Sequence, residues 1–309
     1  MARKVILDVD PGIADAIAMC LALGDPHLEV VAVTATGGNI NPDLASLNVQ
    51  AIVEQLDPDR LPRLGAADPE QPLRTDGRWL CGADGLCGAN LRVAELHHRH
   101  PSVKVMADAV RSAPGEVTII AGGPLSNVAA LLQREPDLAT QVGHLIIVGG
   151  TYSGPGDVTA AAEFNIYCDA EAAQTVFHSP VTKTLLPLCV SSKVVLDYAL
   201  LDQLTASVSS TGKVLQAILP GAFRAFHQRL GLEGIIAPEA VAVVTVLHPE
   251  LLETERFYGD VEVGGGLTHG ATVIDRRHIT PHQPNMDVAV QIDAGAAIDS
   301  ILRGLHGAV

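Results

Sequence analysis

The stretch "ILDVDPGIADAIA", residues 6–18, runs from a β-branched apolar segment through a Pro-Gly bend into an apolar segment of helical period. Residues 4–9 read as a strand, and "ADAIAMCLALG" (14–24) as a helix stopped by Gly24 and Asp25-Pro26. The same strand–helix alternation continues outward. "LEVVAVTAT" (28–36) is a strand and "PDLASLNVQAIVEQL" (42–56) a helix started by Pro42 and Asp43. Helices over 103–113, 124–135 and 170–179 then alternate with strands over 116–122, 144–150 and 181–188. Nearly continuous apolar strands signal an α/β fold, a mostly parallel sheet covered by helices on both faces around a Rossmann-like core. From about residue 198 the alternation weakens. Residues 197–231 and 239–249 read as a helical elaboration, and 257–277 as a hairpin with a Gly-rich turn. No linker or repeat divides the chain, so residues 1–309 are expected to form one domain.

Composition narrows the function. Hydrophobic residues make up 48% of the 309, enough for a large core. The net charge of −15 argues against a nucleic-acid backbone or an anionic membrane surface as partner. A small-molecule ligand or a cation fits better. Five cysteines, without a CxxC pair, read as free thiols of a reducing compartment. The chain opens directly on "KVILDVD" with no apolar leader, and no apolar run is long enough to span a bilayer. A cytoplasmic protein is expected.

The strands end in polar or glycine signals, "DVDPG", "ATGGN", "AGGP" and "VGG". In such sheets ligands bind at the carboxyl ends of the strands, so the candidate residues gather on one rim. Asp8 and Asp10, two apart on a strand, are expected to face the same way. Asp15 falls in the first turn of the next helix. Alone it would be a capping carboxylate. With Asp8 and Asp10 it suits a hard cation with oxygen ligands, such as calcium or magnesium. Glu163 and Asn165, in "AEFNIYCDAEAA", sit two apart in a stretch read as extended, able to bond ligand hydroxyls. Asp169 reads as an ordinary helix cap. Asn39 follows Gly37-Gly38 on the same rim, and Gly122-Gly123-Pro124 offers carbonyls to a cation. "HHRH" (97–100) reads as a solvated helix end. His227 and His269 are rim candidates that more often prove structural.

Together, "ILDVDPGIADAIA", "TATGGN", "AGGPLSNVA", "AEFNIYCDAEAA" and "LTHGATVIDRR" resemble the nucleoside hydrolase family, the inosine-uridine type N-ribohydrolases, over nearly the whole chain. The resemblance implies a tightly bound Ca2+ and hydrolysis of the N-glycosidic bond of a nucleoside. It also implies a homodimer or homotetramer. It makes Asp10 the general base and a calcium ligand, with Asp15 and the Gly122 carbonyl as further ligands. It gives Asn39, Glu163 and Asn165 to the ribose hydroxyls. A calcium-activated water would attack C1′ through an oxocarbenium-like transition state.

Three departures qualify that inheritance. The family's usual aspartate pair in the first motif is here Ala14-Asp15, and the missing acid normally contacts the ribose 2′-hydroxyl. The usual His-Asp pair reads Pro238-Glu239. Glu239 takes the metal-ligand position, one methylene longer, while Pro238 donates no proton. A usual His-Gly reads Cys81-Gly82. Loss of the 2′-hydroxyl partner removes a charge-assisted hydrogen bond worth roughly 1.5–3 kcal/mol. An atypical substrate is therefore expected, either a 2′-altered nucleoside or a specialised N-glycoside. The alternative is a catalytically impaired nucleoside-binding or structural homologue. A phosphatase of the aspartyl-phosphate type, which also opens on "DVD", is disfavoured because Gly12 and Ile13 stand where a hydroxyl-bearing residue is usual.

Overall fold

The structure, a computed structural model, describes residues 2–94, 99–204, 209–277 and 281–307. Its centre is a ten-stranded sheet. The order across the sheet is Thr272–Asp275, Leu252–Val261, Met286–Ile292, Lys183–Leu186, His144–Val148, Val117–Ala121, Arg3–Val9, Leu28–Ala35, Arg63–Ala66 and His100–Pro101. Every pairing from Met286–Ile292 to His100–Pro101 is parallel, and the two strands at the other edge are antiparallel.

The first strand is buried on both faces, as a parallel strand between helical layers must be. Val5, Leu7 and Val9 pack into one apolar slab and Ile6 into the other. The strand lies between Leu28–Ala35 and Val117–Ala121. The chain winds outward from it in both directions, so the crevice at its carboxyl end is a topological switch point.

Helix Ile13–Gly24 follows at once. Asp15 Oδ2 accepts the Gly12 N–H at 3.0 Å and satisfies a donor that would otherwise be orphaned at the helix start. Helix Pro42–Leu56 has the expected span, but its cap is Asn41, whose Oδ1 accepts from Leu44 N. Pro238 occupies the first turn of helix Pro238–Leu247, where a missing N–H costs nothing. That helix is apolar all round and packs against Ile13–Gly24, so both are interior elements.

Several elements differ from the sequence-based expectation. The 197–231 segment is divided among a helix Ala199–Leu204, a helix Ser210–Ala225 containing Pro220, and a π-helical turn Phe226–Leu230. The strands Arg63–Ala66 and His100–Pro101, the last two at one end of the sheet, are too short to carry a readable alternation. His100 therefore belongs to a strand rather than a helix end, and His97 and His98 lie outside the described residues. All five cysteines are free. Among the described residues no helix is long and apolar enough to cross a membrane.

Candidate active site

A cavity of about 470 Å³ opens at the carboxyl rim of the sheet. Asp10, Asp15, Asn39, Glu163, Asn165 and Glu239 form its polar side. They come from four separate parts of the chain, brought together by the parallel winding.

Asp10 sits immediately past the first strand, which ends at Val9. Its Oδ2 accepts the Asn39 N–H at 2.6 Å, and its backbone carbonyl accepts from Asn39 Nδ2 at 3.2 Å. Asn39 is thus a brace for Asp10, and its own Oδ1 accepts from the Cys81 thiol at 3.5 Å. A Cβ on Gly38 would collide with Asp10 Oδ2, so only glycine permits this approach.

Asp8 does not share the cavity. Its Oδ1 accepts from Thr34 Oγ1 at 2.7 Å and Asn127 Nδ2 at 2.8 Å, beneath the rim. The expectation that Asp8 and Asp10 face the same way fails because the chain leaves the strand between them, and the two-residue alternation ends with it.

Asp15 and Glu239 meet beside Gly122. A Cβ on Gly122 would lie 3.2 Å from Asp15 Oδ1 and 2.8 Å from Glu239 Cγ. Asp15 Oδ1 and Glu239 Oε2 are buried and have no hydrogen-bond donor. Such orphaned oxygens are costly unless something positive meets them. Burial, then the charge of Asp15, hold the Asp10 carboxyl well above the usual range. Glu239 is raised by the same two causes, and burial lifts Asp15 to about 6.

The Gly122 carbonyl accepts from Asn165 Nδ2 at 2.7 Å and keeps a second lone pair. Asn165 Nδ2 also donates to the Val148 carbonyl at 3.0 Å. With its N–H groups committed, Asn165 can offer a ligand only its Oδ1. Glu163 is extended as expected, but the chain turns helical from Phe164, so Asn165 lies in a helix. Glu163 caps a short helix, Phe164–Cys168, that contains Asn165. Glu163 accepts from Asn165 N at 3.0 Å, Gly150 N at 2.8 Å and Ile166 N at 3.2 Å. Burial and the charge of Asp157 nevertheless hold its carboxyl at about 8. Asp169 is the cap expected of it, accepting from Ala172 N at 3.0 Å.

Much of the remaining lining is apolar. Trp79, Leu80, Phe226, Leu230, Ile236 and Pro238 form this apolar wall. Ala14 and Cys81 also face the cavity, so all three departures from the family pattern meet in one place. His227 does not line it and pairs with Glu233 at 3.3 Å. His269 is buried edge-on against Tyr167, also away from the cavity.

Sequence reading passed over Asp157, Trp79, Cys189 and Phe226, which line the cavity. Asp157 lies in the Gly-Pro segment before "AEFN", where it reads as a connection. Asn127 was also passed over, although it sits in the quoted "AGGPLSNVA". Its Nδ2 ties Asp8 to the Ala35 carbonyl, with 2.8 Å to each.

Orphaned carboxylate oxygens with a neighbouring backbone carbonyl suit a hard divalent cation, which takes oxygen donors only. Among the described residues, no three His, Cys, Asp or Glu side chains are gathered closely enough to hold an ion by themselves. A cation here would draw on Asp10, Asp15, Glu239, the Gly122 carbonyl and solvent together.

A carboxylate-lined cavity at the switch point of a parallel sheet is where such a fold binds a small-molecule ligand. The comparisons with known proteins specify the class. The sequence model of the inosine-uridine preferring nucleoside hydrolases matches residues 5–299, and the chain belongs to that family. It is by class a nucleosidase, an N-glycosyl hydrolase. It is 34% identical over 312 residues to the pyrimidine-specific ribonucleoside hydrolase RihA of Klebsiella pneumoniae subsp. pneumoniae, covering 99% of each chain. RihA of Citrobacter koseri is 34% identical over 311 residues, covering 99% of this chain and 98% of that one. Among solved structures, the plant nucleoside hydrolase PpNRh1 superposes with a TM-score of 0.90 at 28% identity, over 99% of both chains. The purine-preferring ribonucleoside hydrolase from Gardnerella vaginalis gives 0.90 at 24% identity over 99% of both, a likeness of fold.

Proposed function

We propose that this protein hydrolyses the N-glycosidic bond of ribonucleoside-like substrates with Asp10 as general base and Ca2+ as cofactor. The observation that carries the reading is the pair of buried, donor-less oxygens on Asp15 and Glu239 beside Asp10 and the Gly122 carbonyl. When bound there, calcium would acidify a water molecule and offset the crowded negative charge.

The chain's own residues do the rest. Asn39 holds Asp10 in one orientation through its backbone N–H. That leaves Asp10 Oδ1 to take a proton as water attacks C1′. Glu163 and Asn165 are fixed by backbone partners, so their remaining acceptor sites meet the sugar hydroxyls already oriented. The fixed carboxylates also favour the positive charge that develops on the sugar. Ala14 supplies no oxygen where the family has one, which supports an atypical sugar preference. The RihA relatives make pyrimidine ribonucleosides the first compounds to assay.

The proposal treats residues 1–309 as one catalytic domain, since the site draws on positions from Asp10 to Glu239 across a single sheet. It includes a homodimer or homotetramer in the cytoplasm, to be checked by light scattering and cell fractionation. The decisive assay is sugar release from a nucleoside panel with calcium-loaded protein. Release that is lost with a chelator and regained with calcium is expected. Tight nucleoside binding with no release from any member would replace the reading with that of a binding protein.

A further inference from the structure

We infer that the departing ring leaves this cavity without a proton from the protein, and that the preferred substrates are quaternary N-glycosides, pyridinium ribosides above all. The inference rests on the proposed nucleosidase reading and names its substrate class.

The apolar part of the lining is where a planar ring would lie. Trp79, Leu80, Phe226, Leu230, Ile236 and Pro238 form it, and none carries a titratable proton. Among the described residues, the cavity lining contains no His, Lys, Arg or Tyr at all. The acids on the floor are turned to backbone partners: Glu163 accepts three N–H groups, Asp15 accepts from Gly12 and Asp10 from Asn39. Two other groups deserve a check. Asp157 lines the cavity with its Oδ1 engaged by the Phe164 N–H at 2.8 Å. The Cys189 sulfur accepts from Ser153 Oγ at 3.6 Å. The Cys81 thiol is turned to Asn39, on the floor side.

Bond cleavage sends the C1′–N electron pair onto the ring nitrogen. A neutral nucleoside then releases an anion unless something protonates the ring. A pyridinium riboside needs no such help, because the same electron pair cancels the positive charge and the ring leaves as a neutral pyridine. Water supplies the oxygen that bonds to C1′, and its proton passes to Asp10 and then to solvent. The products are ribose, the pyridine and one proton, and charge balances.

Charge points the same way. The cavity is lined by Asp10, Asp15, Asp157, Glu163 and Glu239. Among the described lining residues there is no cationic side chain to repel a cationic ring. Trp79 and Phe226 are the aromatic residues of the wall, and a cationic ring stacked on either would gain from its π system.

The test compares nicotinamide riboside, uridine and 4-nitrophenyl β-D-ribofuranoside with full-length, calcium-supplemented protein. The third compound also leaves without needing a proton. A positioned acid typically contributes about 10²–10⁴-fold, so kcat/KM for uridine should trail both others by about that factor. Pro238→His, which introduces an imidazole at the wall, should raise the ratio of kcat/KM for uridine to that for the 4-nitrophenyl riboside. Uridine cleaved as fast as nicotinamide riboside overturns the inference and leaves the nucleosidase reading standing. So does an Asp157→Asn or Cys189→Ala variant that slows uridine while sparing the 4-nitrophenyl riboside, because that residue would be the proton donor. Release from none of the three overturns the nucleosidase reading and this inference with it.

Discussion

The floor and the wall of the cavity are built in opposite ways. The floor is set by strand ends and the first turns of helices, and its side chains are locked by backbone partners: Asp10 by Asn39, Asp15 by Gly12, Glu163 by three N–H groups. The wall comes from a short helix, a π-helical turn, a two-residue strand and the first turn of helix Pro238–Leu247, and Trp79 is half-exposed. Under the proposed function, the fixed acids would hold the chemistry in place and the apolar side would select the ring. In this chain the floor keeps Asp10, Asp15, Asn39, Glu163 and Asn165 but departs from the expected pattern at Ala14, Cys81 and Glu239, and the wall departs from it at Pro238.

The largest expected effect tests the floor. Asp10→Asn keeps the shape of the side chain and its bond from the Asn39 N–H but removes the proposed base. Turnover should fall by about 10²–10⁴-fold with the melting temperature little changed. An active Asp10→Asn enzyme would break the contrast at its strongest point.

Calcium comes next. At 100 times its Kd a ligand specific to the folded state stabilises by about 2.7 kcal/mol, which thermal melts would register. Glu239→Gln should remove much of that gain. Melts in calcium-free buffer carry a pH signature as well. Burial lifts Asp8 to about 7 and Asp15 to about 6. The folded chain therefore keeps protons that the unfolded chain releases near pH ~4, and stability should fall as pH rises from about 4 to about 7. Calcium should flatten that slope, and an unchanged slope would argue against a cation at this floor.

Ala14→Asp restores the missing oxygen. A charge-assisted hydrogen bond of about 1.5 kcal/mol corresponds to about tenfold in kcat/KM for ribonucleosides over their 2′-deoxy counterparts. No change in that ratio would mean that Ala14 does not face the sugar. The smallest effect tests the wall. Trp79→Ala should raise KM by about fivefold with kcat preserved, because a half-exposed ring contributes on the order of 1 kcal/mol to holding the substrate. A kcat effect there would show that the wall positions the reacting bond as well.

The fold was legible wherever an element was long and periodic. Helix Pro42–Leu56 has the span read from its sequence, and the strand at the chain's start differs by one residue. Short elements escaped, because two residues at His100–Pro101 or four at Arg63–Ala66 hold no period to read. Glu163 and Asn165 were legible as a polar pair but not as a helix start, since the cap at Glu163 depends on Gly150 as well as on its own helix. The wall was nearly invisible. Phe226 and Leu230 look like any apolar residues of a helix until tertiary packing turns one face toward the cavity.

The sequence by itself determined the alternation of strands and helices, the rim on which acids gather, and which acids the chain retains. These are local properties, written in periodicity, in turn residues and in the side chains themselves. Only the tertiary structure separated Asp8 from Asp10 and brought Glu239 against Asp15 across more than two hundred residues. Only it placed Ala14, Cys81 and Pro238 in one cavity. The reason is that burial, convergence and the loss of hydrogen-bond partners are relations between distant segments, and no short stretch of chain contains them.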